Sequence, residues 1–511
     1  MTDKINGIVP PTTKAWRNHR RRRWIGLLTA ALVLAASAVW VTTVAIRTCG
    51  SLGSGVYEVD GDCVGVTDGS YVFHSELEDV QQRIAEENAR VRAASSSYVT
   101  VALLDPLTPT PMSALPPEPV RNRLEGAYTA LRRVNTTRVV GDLEPQIQLV
   151  LANEGSTDDQ WQRVIGQLVE MTEQDNPLVA VIGLGVSTEQ TQRRAEELSQ
   201  HGIPMVGAVL TADGLDYDHI PGLIKTSPSN RHYVDALRDY VDSTDLDSAI
   251  MIRDSNSDSG MDLFTQTLEN EFEEQMGDLM YFLPQQFTGV AIPTNADPGL
   301  FANVRANICA SVAGGLEVVL YAGREVDFDG FLESLRYRSC DRTPLTILTA
   351  GSDLGAVLRG REQELNAANL TVVFAGTVDA EGWGQDAPDT PEYYDEFLSE
   401  FQEQGFDPGH LADGGAIMMH DALLTAAQAV RLAAPGGSAS SPTAGDVYSQ
   451  LTNLNNLDAV RAASGTLSFS SRSPGAGNPV DKPVPVLKYP QTPDSPSRQV
   501  GQLYFVPDER S

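Results

Sequence analysis

The chain has 511 residues, 41% of them hydrophobic, enough to bury large cores and too long for one ordinary domain. Asp and Glu number 68 against 37 Lys and Arg, a formal charge of −31. That balance argues against a nucleic-acid partner and for an acidic, soluble surface.

The first 23 residues run the other way, with Lys4, Lys14, Arg17 and Arg20 to Arg23 against the single acid Asp3. They precede "WIGLLTAALVLAASAVWVTTVAI", Trp24 to Ile46, which carries no charge. At ~1.5 Å per residue this segment reaches roughly 34 Å, enough to cross a hydrocarbon core of about 30 Å. A cleaved signal peptide has a core of roughly 7 to 15 residues and a small-residue cleavage site. This segment is longer and ends in Ile46-Arg47-Thr48, and Cys49 lacks the small residues expected before a lipidated cysteine. The expectation is a basic cytoplasmic tail over 1–23, a retained transmembrane helix over 24–46, and everything beyond outside the cell.

The four cysteines form two local pairs rather than a metal-type C-x-x-C, and an oxidising exterior permits disulfides Cys49–Cys63 and Cys309–Cys340. The alternative is four buried free thiols. Residues 47–96 read as a Cys-stapled, glycine-rich loop followed by a juxtamembrane helix, with Leu77, Val80, Ile84 and Val91 at helical spacing. From Tyr98 onward apolar strands such as "YVTVALLDP", "QIQLVLANEG", "LVAVIGLG" and "IPMVGAVL" alternate with amphipathic helices, the pattern of a parallel sheet covered on both faces. The pattern restarts at "SAIMIRD" and runs through "LEVVLYAG" and "PLTILTAG". The predicted division is lobe one over 97–243, lobe two over 244–371, a return to lobe one over 372–463, and lobe-two strands with a tail over 464–511. The fold class is α/β, two Rossmann-like lobes with parallel sheets, preceded by one transmembrane helix.

Motifs for catalysis are absent. There is no G-x-S-x-G and no H-E-x-x-H, and Gly355 with Gly360 has P-loop spacing but continues as Arg361-Glu362. "DSNSDSGMDLFT", Asp254 to Thr265, imitates a calcium loop, yet its glycine stands at position seven and its twelfth residue is Thr265. The sequence is therefore read as that of a non-enzyme with no metal site and no cofactor.

"VAVIGLGVSTEQTQ", Val179 to Gln192, resembles a dinucleotide loop without its third glycine. The acid that would hold a ribose is missing, because the next strand ends in Thr211. A strand-to-helix turn of this kind offers backbone N–H groups and a helix dipole to an anion, with hydroxyls from Ser187 and Thr188. Ser187 also reads as a helix N-cap with no ligand.

Taken in order, "LEGAYTALRRVN", "NEGSTDDQWQRVIGQLVE", "VAVIGLGVSTEQTQRRAEELSQHGIPMVGA" and "GLIKTSPSNRHYVDALRDYV" resemble the type I periplasmic binding proteins, in particular the branched-chain amino-acid receptors of ABC transporters. The resemblance implies two α/β lobes joined by three crossing strands, with ligand in the cleft between them. It implies that Ser187 and Thr188 hold a ligand carboxylate, helped by Val209 and Thr211. In lobe two the family's aromatic and acid are replaced near Asp258-Ser259, by Arg324 or Glu325, and by Ser352 or Asp353. With Asp258, Arg324 and Asp353 on that wall, the cleft is expected to be more polar than one built for leucine. The implied function is a membrane-anchored, extracytoplasmic solute-binding protein for a small polar, amino-acid-like ligand, working with an ABC transporter permease. The alternatives are a ligand-sensing ectodomain that signals through a partner, and a non-binding scaffold for protein contacts.

Overall fold

The computed structural model describes Trp24, Cys49 and residues 55–59, 61–94, 98–109, 113, 115–156, 160–289, 300–351, 354–385, 387–434, 441–469, 476–491 and 498–508. The expected tail and spanning helix lie outside these residues apart from Trp24. No helix among the described residues is long and apolar enough to cross a membrane.

Lobe one is built on seven strands: β1 (Val56–Val59), β2 (Asp62–Thr67), β3 (Tyr98–Asp105), β4 (Gln146–Asn153), β5 (Leu178–Gly183), β6 (Met205–Gly207) and β7 (Leu223–Lys225). Their order is β1-β2-β4-β3-β5-β6-β7. The five strands from β4 to β7 run parallel, and the β1–β2 hairpin adds an antiparallel edge. Strands β3 and β5 are apolar at successive positions because helices cover both faces. One face packs on Glu78–Ala94, Pro117–Thr136 and Gly415–Ala433, the other on Trp161–Met171 and Glu189–Gln200.

The described part of the loop and juxtamembrane helix expected over 47–96 thus packs into lobe one. Leu77, Val80 and Ile84 enter the lobe-one core. The Asn88 side chain stands in for a neighbouring strand on β4, donating to the Leu149 carbonyl at 2.6 Å and accepting from the Leu149 N–H at 2.9 Å. Asn135 does the same for Ile147, at 2.9 Å for both bonds. Buried backbone groups need partners, and two asparagines supply them where β2 stops.

Lobe two holds β8 (Ala249–Asp254), β9 (Gln285–Phe287), β10 (Val318–Ala322), β11 (Leu345–Ala350) and β12 (Leu370–Ala375). The chain then re-enters lobe one, where Val378, Trp383 and Phe397 join its core. There β13 (Val460–Ala462), β14 (Gly465–Phe469) and β15 (Pro479–Val480) form a small antiparallel sheet. After a third crossing, β16 (Pro483–Val484), β17 (Val486–Tyr489) and β18 (Tyr504–Phe505) complete lobe two. Its six-stranded sheet has the order β17-β12-β11-β10-β8-β9, parallel except for β17.

Two boundaries differ from the sequence reading. The helix Asn230–Asp242, expected in lobe one, buries Tyr233, Val234 and Leu237 against Met251 and Phe264 of lobe two. Its amphipathic pattern says that one face is buried but not which sheet it covers. Strand β14, expected in lobe two, places Leu467 and Phe469 in the lobe-one core, so the third crossing comes later, between Gly477 and Val484. Both disulfides, Cys49–Cys63 and Cys309–Cys340, are formed.

Candidate functional site

The turn after β5 carries three consecutive left-handed residues, Gly183 (φ 90°), Leu184 (φ 70°) and Gly185 (φ 66°). Close approach explains both glycines. A Cβ on Gly183 would lie 3.0 Å from Asp105 Oδ1, and one on Gly185 would lie 2.7 Å from Arg194 Nη2. The Gly185 N–H donates to Asp105 Oδ1 at 2.7 Å. The Gly185 N–H of the turn is therefore taken up by a carboxyl group of the protein itself. Burial pushes the Asp105 carboxyl up, while Arg123 at 3.6 Å and the Gly185 N–H pull it down. Behind it, Arg194 pairs with Glu154 at 2.8 Å, both side chains fully buried.

The four lobe-one residues assigned to a carboxylate clamp are all buried, at 2% to 7% exposure. Ser187 Oγ accepts from the N–H groups of Thr211 and Ala212 at 3.1 and 3.2 Å, fastening the β5 turn to the end of the next strand. Thr188, and not Ser187 as the sequence suggested, is the N-cap of Glu189–Gln200, accepting from the Thr191 N–H at 3.1 Å, because the Ser187 hydroxyl is turned to Thr211 and Ala212. The Thr211 carbonyl accepts from the Asn230 N–H at 2.7 Å, and Val209 lies in the lobe-one core. The structure brings Ser187 and Thr211 together as expected, but through bonds that they make to the chain itself.

Lobe two closes directly onto this turn. The Phe264 N–H donates to the Ser187 carbonyl at 3.1 Å, and the Glu189 N–H donates to the Met261 carbonyl at 3.0 Å. Thr188 and Asp262 form an antiparallel bridge. Arg324, 4% exposed, donates to Asp262 at 2.6 and 2.8 Å and to the Ser187 carbonyl at 3.0 Å. Burial alone would pull the guanidinium down; Asp262 overrides it and holds Arg324 above its usual value. Arg324 thus faces Ser187 as the sequence suggested, and it acts as a latch between lobes. Sequence reasoning missed Asp262, whose position before "LFTQT" reads simply as a helix cap, which it also is.

Asp258 does not face Ser187. It is exposed and pairs with Arg253 at 2.7 Å, because the short helical turn Ser255–Ser259 carries it to the outer side of β8. Ser352 and Asp353 lie outside the described residues. The calcium-like Asp254 instead caps that turn, accepting from the N–H groups of Asn256 and Gly289 at 3.0 and 2.9 Å. Among the described residues no group of three or more His, Cys, Asp or Glu side chains could hold a metal ion.

Beside the latch a cavity of about 280 Å³ remains, with walls from both lobes. Lobe one contributes Glu118 and Asn122 from the start of Pro117–Thr136, and Asp413 ahead of Gly415–Ala433. Lobe two contributes Glu325, Val326 and Arg359. Asp413 is 4% exposed and fixed from behind, accepting from Asn122 Nδ2 at 2.6 Å and from the Gly415 N–H at 2.8 Å. Arg359 is anchored on the Gly409 carbonyl at 3.2 Å. None of these residues belongs to a motif; four chain segments, around residues 118, 325, 359 and 413, meet only in the fold.

No protein family matches the sequence, and no curated protein matches it either. Solved structures do match. An ABC-transporter substrate-binding protein from Desulfitobacterium hafniense in complex with Leu has a TM-score of 0.54 at 15% identity, covering 80% of this chain and 100% of its own. A solute-binding protein of an ABC transporter from Rhodopseudomonas palustris BisB5, bound to 3,4-dihydroxybenzoic acid, has a TM-score of 0.56 at 15% identity over 80% and 96%. A leucine-binding protein from Thermotoga maritima has a TM-score of 0.54 at 14% identity over 81% and 100%. At such identities the likeness carries the architecture: two doubly wound lobes, three crossings and a seam between them give this chain the type I fold of ABC-transporter substrate-binding proteins.

Proposed function

We propose that the chain is a membrane-anchored, extracytoplasmic solute-binding protein that captures a small polar, amino-acid-like ligand between its lobes and delivers it to an ABC transporter permease. The observation that carries this reading is the cavity of about 280 Å³ walled by both lobes, a volume suited to a single small metabolite. The charge-free segment Trp24 to Ile46 behind a basic tail supports the anchor, and the two disulfides agree with an oxidising exterior.

The ligand would sit beside the Arg324 latch rather than in the carboxylate clamp of Ser187, Thr188, Val209 and Thr211, whose polar groups serve the closed seam. A second reading is favoured by that same latch: lobes already bonded to each other suit a non-binding scaffold for protein contacts whose cleft stays shut. A thermal-shift screen of the full-length chain in detergent, across amino acids, sugars and organic acids, separates the two. A ligand at 100 times its Kd stabilises the fold by about 2.7 kcal/mol. No shift with any compound would overturn solute capture and favour the scaffold.

A further inference from the structure

The Cys49–Cys63 bond lies on one particular edge of lobe one. Strand β2 runs antiparallel to β4 and pairs Gly65 with Asn153, so Cys63 stands just past the carboxyl end of β4. Its carbonyl accepts from Asn153 Nδ2 at 2.6 Å, and the neighbouring Asp62 accepts from the Ser156 N–H and Oγ at 2.8 and 2.7 Å. The Ser156 carbonyl accepts from Ser113 Oγ at 3.3 Å, three residues before Pro116 in the cavity wall. The parallel strands β3, β4 and β5 share one carboxyl edge, and from that edge the turn after β5 meets lobe two at Ser187 and Thr188. The bond therefore sits at the seam and not at the far end of the lobe. Beside it, the β1–β2 hairpin sets Glu58 opposite Cys63 and Tyr57 opposite Val64. Tyr57 is 40% exposed, with the Arg163 guanidinium 4.8 Å over its ring. Groups with an apolar body and a polar tip are those that settle at a membrane–water interface.

We infer that the Cys49–Cys63 bond is a tether clamp that seats the seam edge of lobe one, at the β1–β2 hairpin, on the bilayer surface. This rests on the membrane anchor of the reading above and does not depend on which solute is captured. Chain length sets the reach. Cys49 follows Ile46 by three residues, which extend to at most roughly 11 Å. After Cys49 the first described residue that the body holds is Gly55, whose carbonyl accepts from Gln167 Nε2 at 2.8 Å. Without the bond the tether would run nine residues from Ile46 to Gly55, up to roughly 32 Å, enough to let the lobe turn other faces to the membrane. The effective concentration of a tethered group falls as about the −3/2 power of tether length, so nine residues instead of three lower the encounter of hairpin and bilayer about fivefold. The clamp keeps the seam, and the cavity beside it, at the membrane.

Photo-crosslinking of the full-length chain in lipid nanodiscs tests this, with p-benzoylphenylalanine replacing Tyr57 and the lipid adduct read by intact mass spectrometry. Tyr337, 64% exposed, is the distant control: the helix Glu325–Arg336 starts at the Arg324 latch and carries Tyr337 about 18 Å from it, at its other end. The expected result is a lipid adduct at Tyr57 and at least tenfold less at Tyr337. A twelve-residue Gly-Ser insert between Arg47 and Thr48 lengthens the tether from three residues to fifteen and should lower the Tyr57 adduct about tenfold. The same insert between Gly50 and Ser51 falls inside the loop that the bond closes and should leave the adduct unchanged. Cys49→Ser/Cys63→Ser should lower the adduct about fivefold. Both inserts keep the bond, so their comparison stands even where the serine variant folds poorly. Equal losses from the two inserts, or no loss from either, would overturn the clamp and leave the anchor standing. An adduct at Tyr337 as strong as at Tyr57 would overturn the seated edge. A chain that does not enter the discs overturns the anchor, and the clamp with it.

Discussion

Replacing Arg324 with Met removes the cation from the lobe seam while keeping most of the side chain's volume. Asp262, fully buried, is then left with the Thr265 N–H, which donates to it at 3.2 Å. Breaking a buried ion pair from one side costs about 3–5 kcal/mol, because the orphaned charge is the expensive part. The helix N-terminus that Asp262 caps offsets part of this, since an N-terminal dipole favours an anion by about 0.3–1 kcal/mol, and this puts the expected loss near the lower end, about 3 kcal/mol. Asp262→Asn keeps a competent cap, as Asn and Asp are near-equal there. In the double variant Arg324→Met/Asp262→Asn no charge is stranded, so its loss should fall short of the sum of the singles by at least about 1 kcal/mol. Urea denaturation followed by circular dichroism measures all three. An Arg324→Met chain within about 0.5 kcal/mol of the parent, or strict additivity in the double variant, would refute the latch.

Asp379, at the second crossing, is 2% exposed, and burial pushes its carboxyl up to about 6. Its folded value lies above the unfolded one, so its contribution is present below about pH 4 and is lost as pH rises through 6, on the order of 3 kcal/mol in all. Asp379→Asn should flatten that part of the stability-against-pH curve; an unchanged slope between pH 4 and 6 would count against it. Asn88→Leu strands the N–H and carbonyl of Leu149, and each buried unsatisfied group costs about 1–3 kcal/mol. Hydrogen exchange at β4 should accelerate strongly in that variant, and protection equal to the parent's would contradict the strand-substitute role. Removing the Cys309–Cys340 bridge, which closes a loop with a sequence separation of 31, with a double Ala variant should cost about 2–4 kcal/mol, measured by denaturation under non-reducing conditions.

Much of the architecture is legible in the sequence because it rests on local signals. Continuous apolar runs such as those of β3 and β5 announce central parallel strands, the hydroxyls before "EQTQ" announce a helix start, although the cap is Thr188 and not Ser187, and the restart at "SAIMIRD" announces a second sheet. The cysteine pairs are local too. What escapes is set by partners far apart in the chain. The turn at Gly183 to Gly185 looks like an anion site, but its Gly185 N–H is taken by Asp105, 80 residues away. The latch joins Ser187 to Arg324 across 137 residues, and the cavity joins Asn122 to Asp413 across 291. Resemblance placed Ser187, Thr211 and Arg324 at one seam; only the hydrogen-bond geometry distinguishes a side chain that waits for a ligand from one that has already found its partner inside the protein. The same limit misplaced Asn230–Asp242, whose apolar face fits either sheet.

Native mass spectrometry of the full-length chain, released from detergent after incubation with a metabolite extract, tests solute capture between the lobes most directly when run beside Val326→Trp, which fills the cavity. The account predicts one small molecule bound per chain in the parent and none in Val326→Trp. A parent that carries nothing, or an adduct that persists when the cavity is filled, would contradict it.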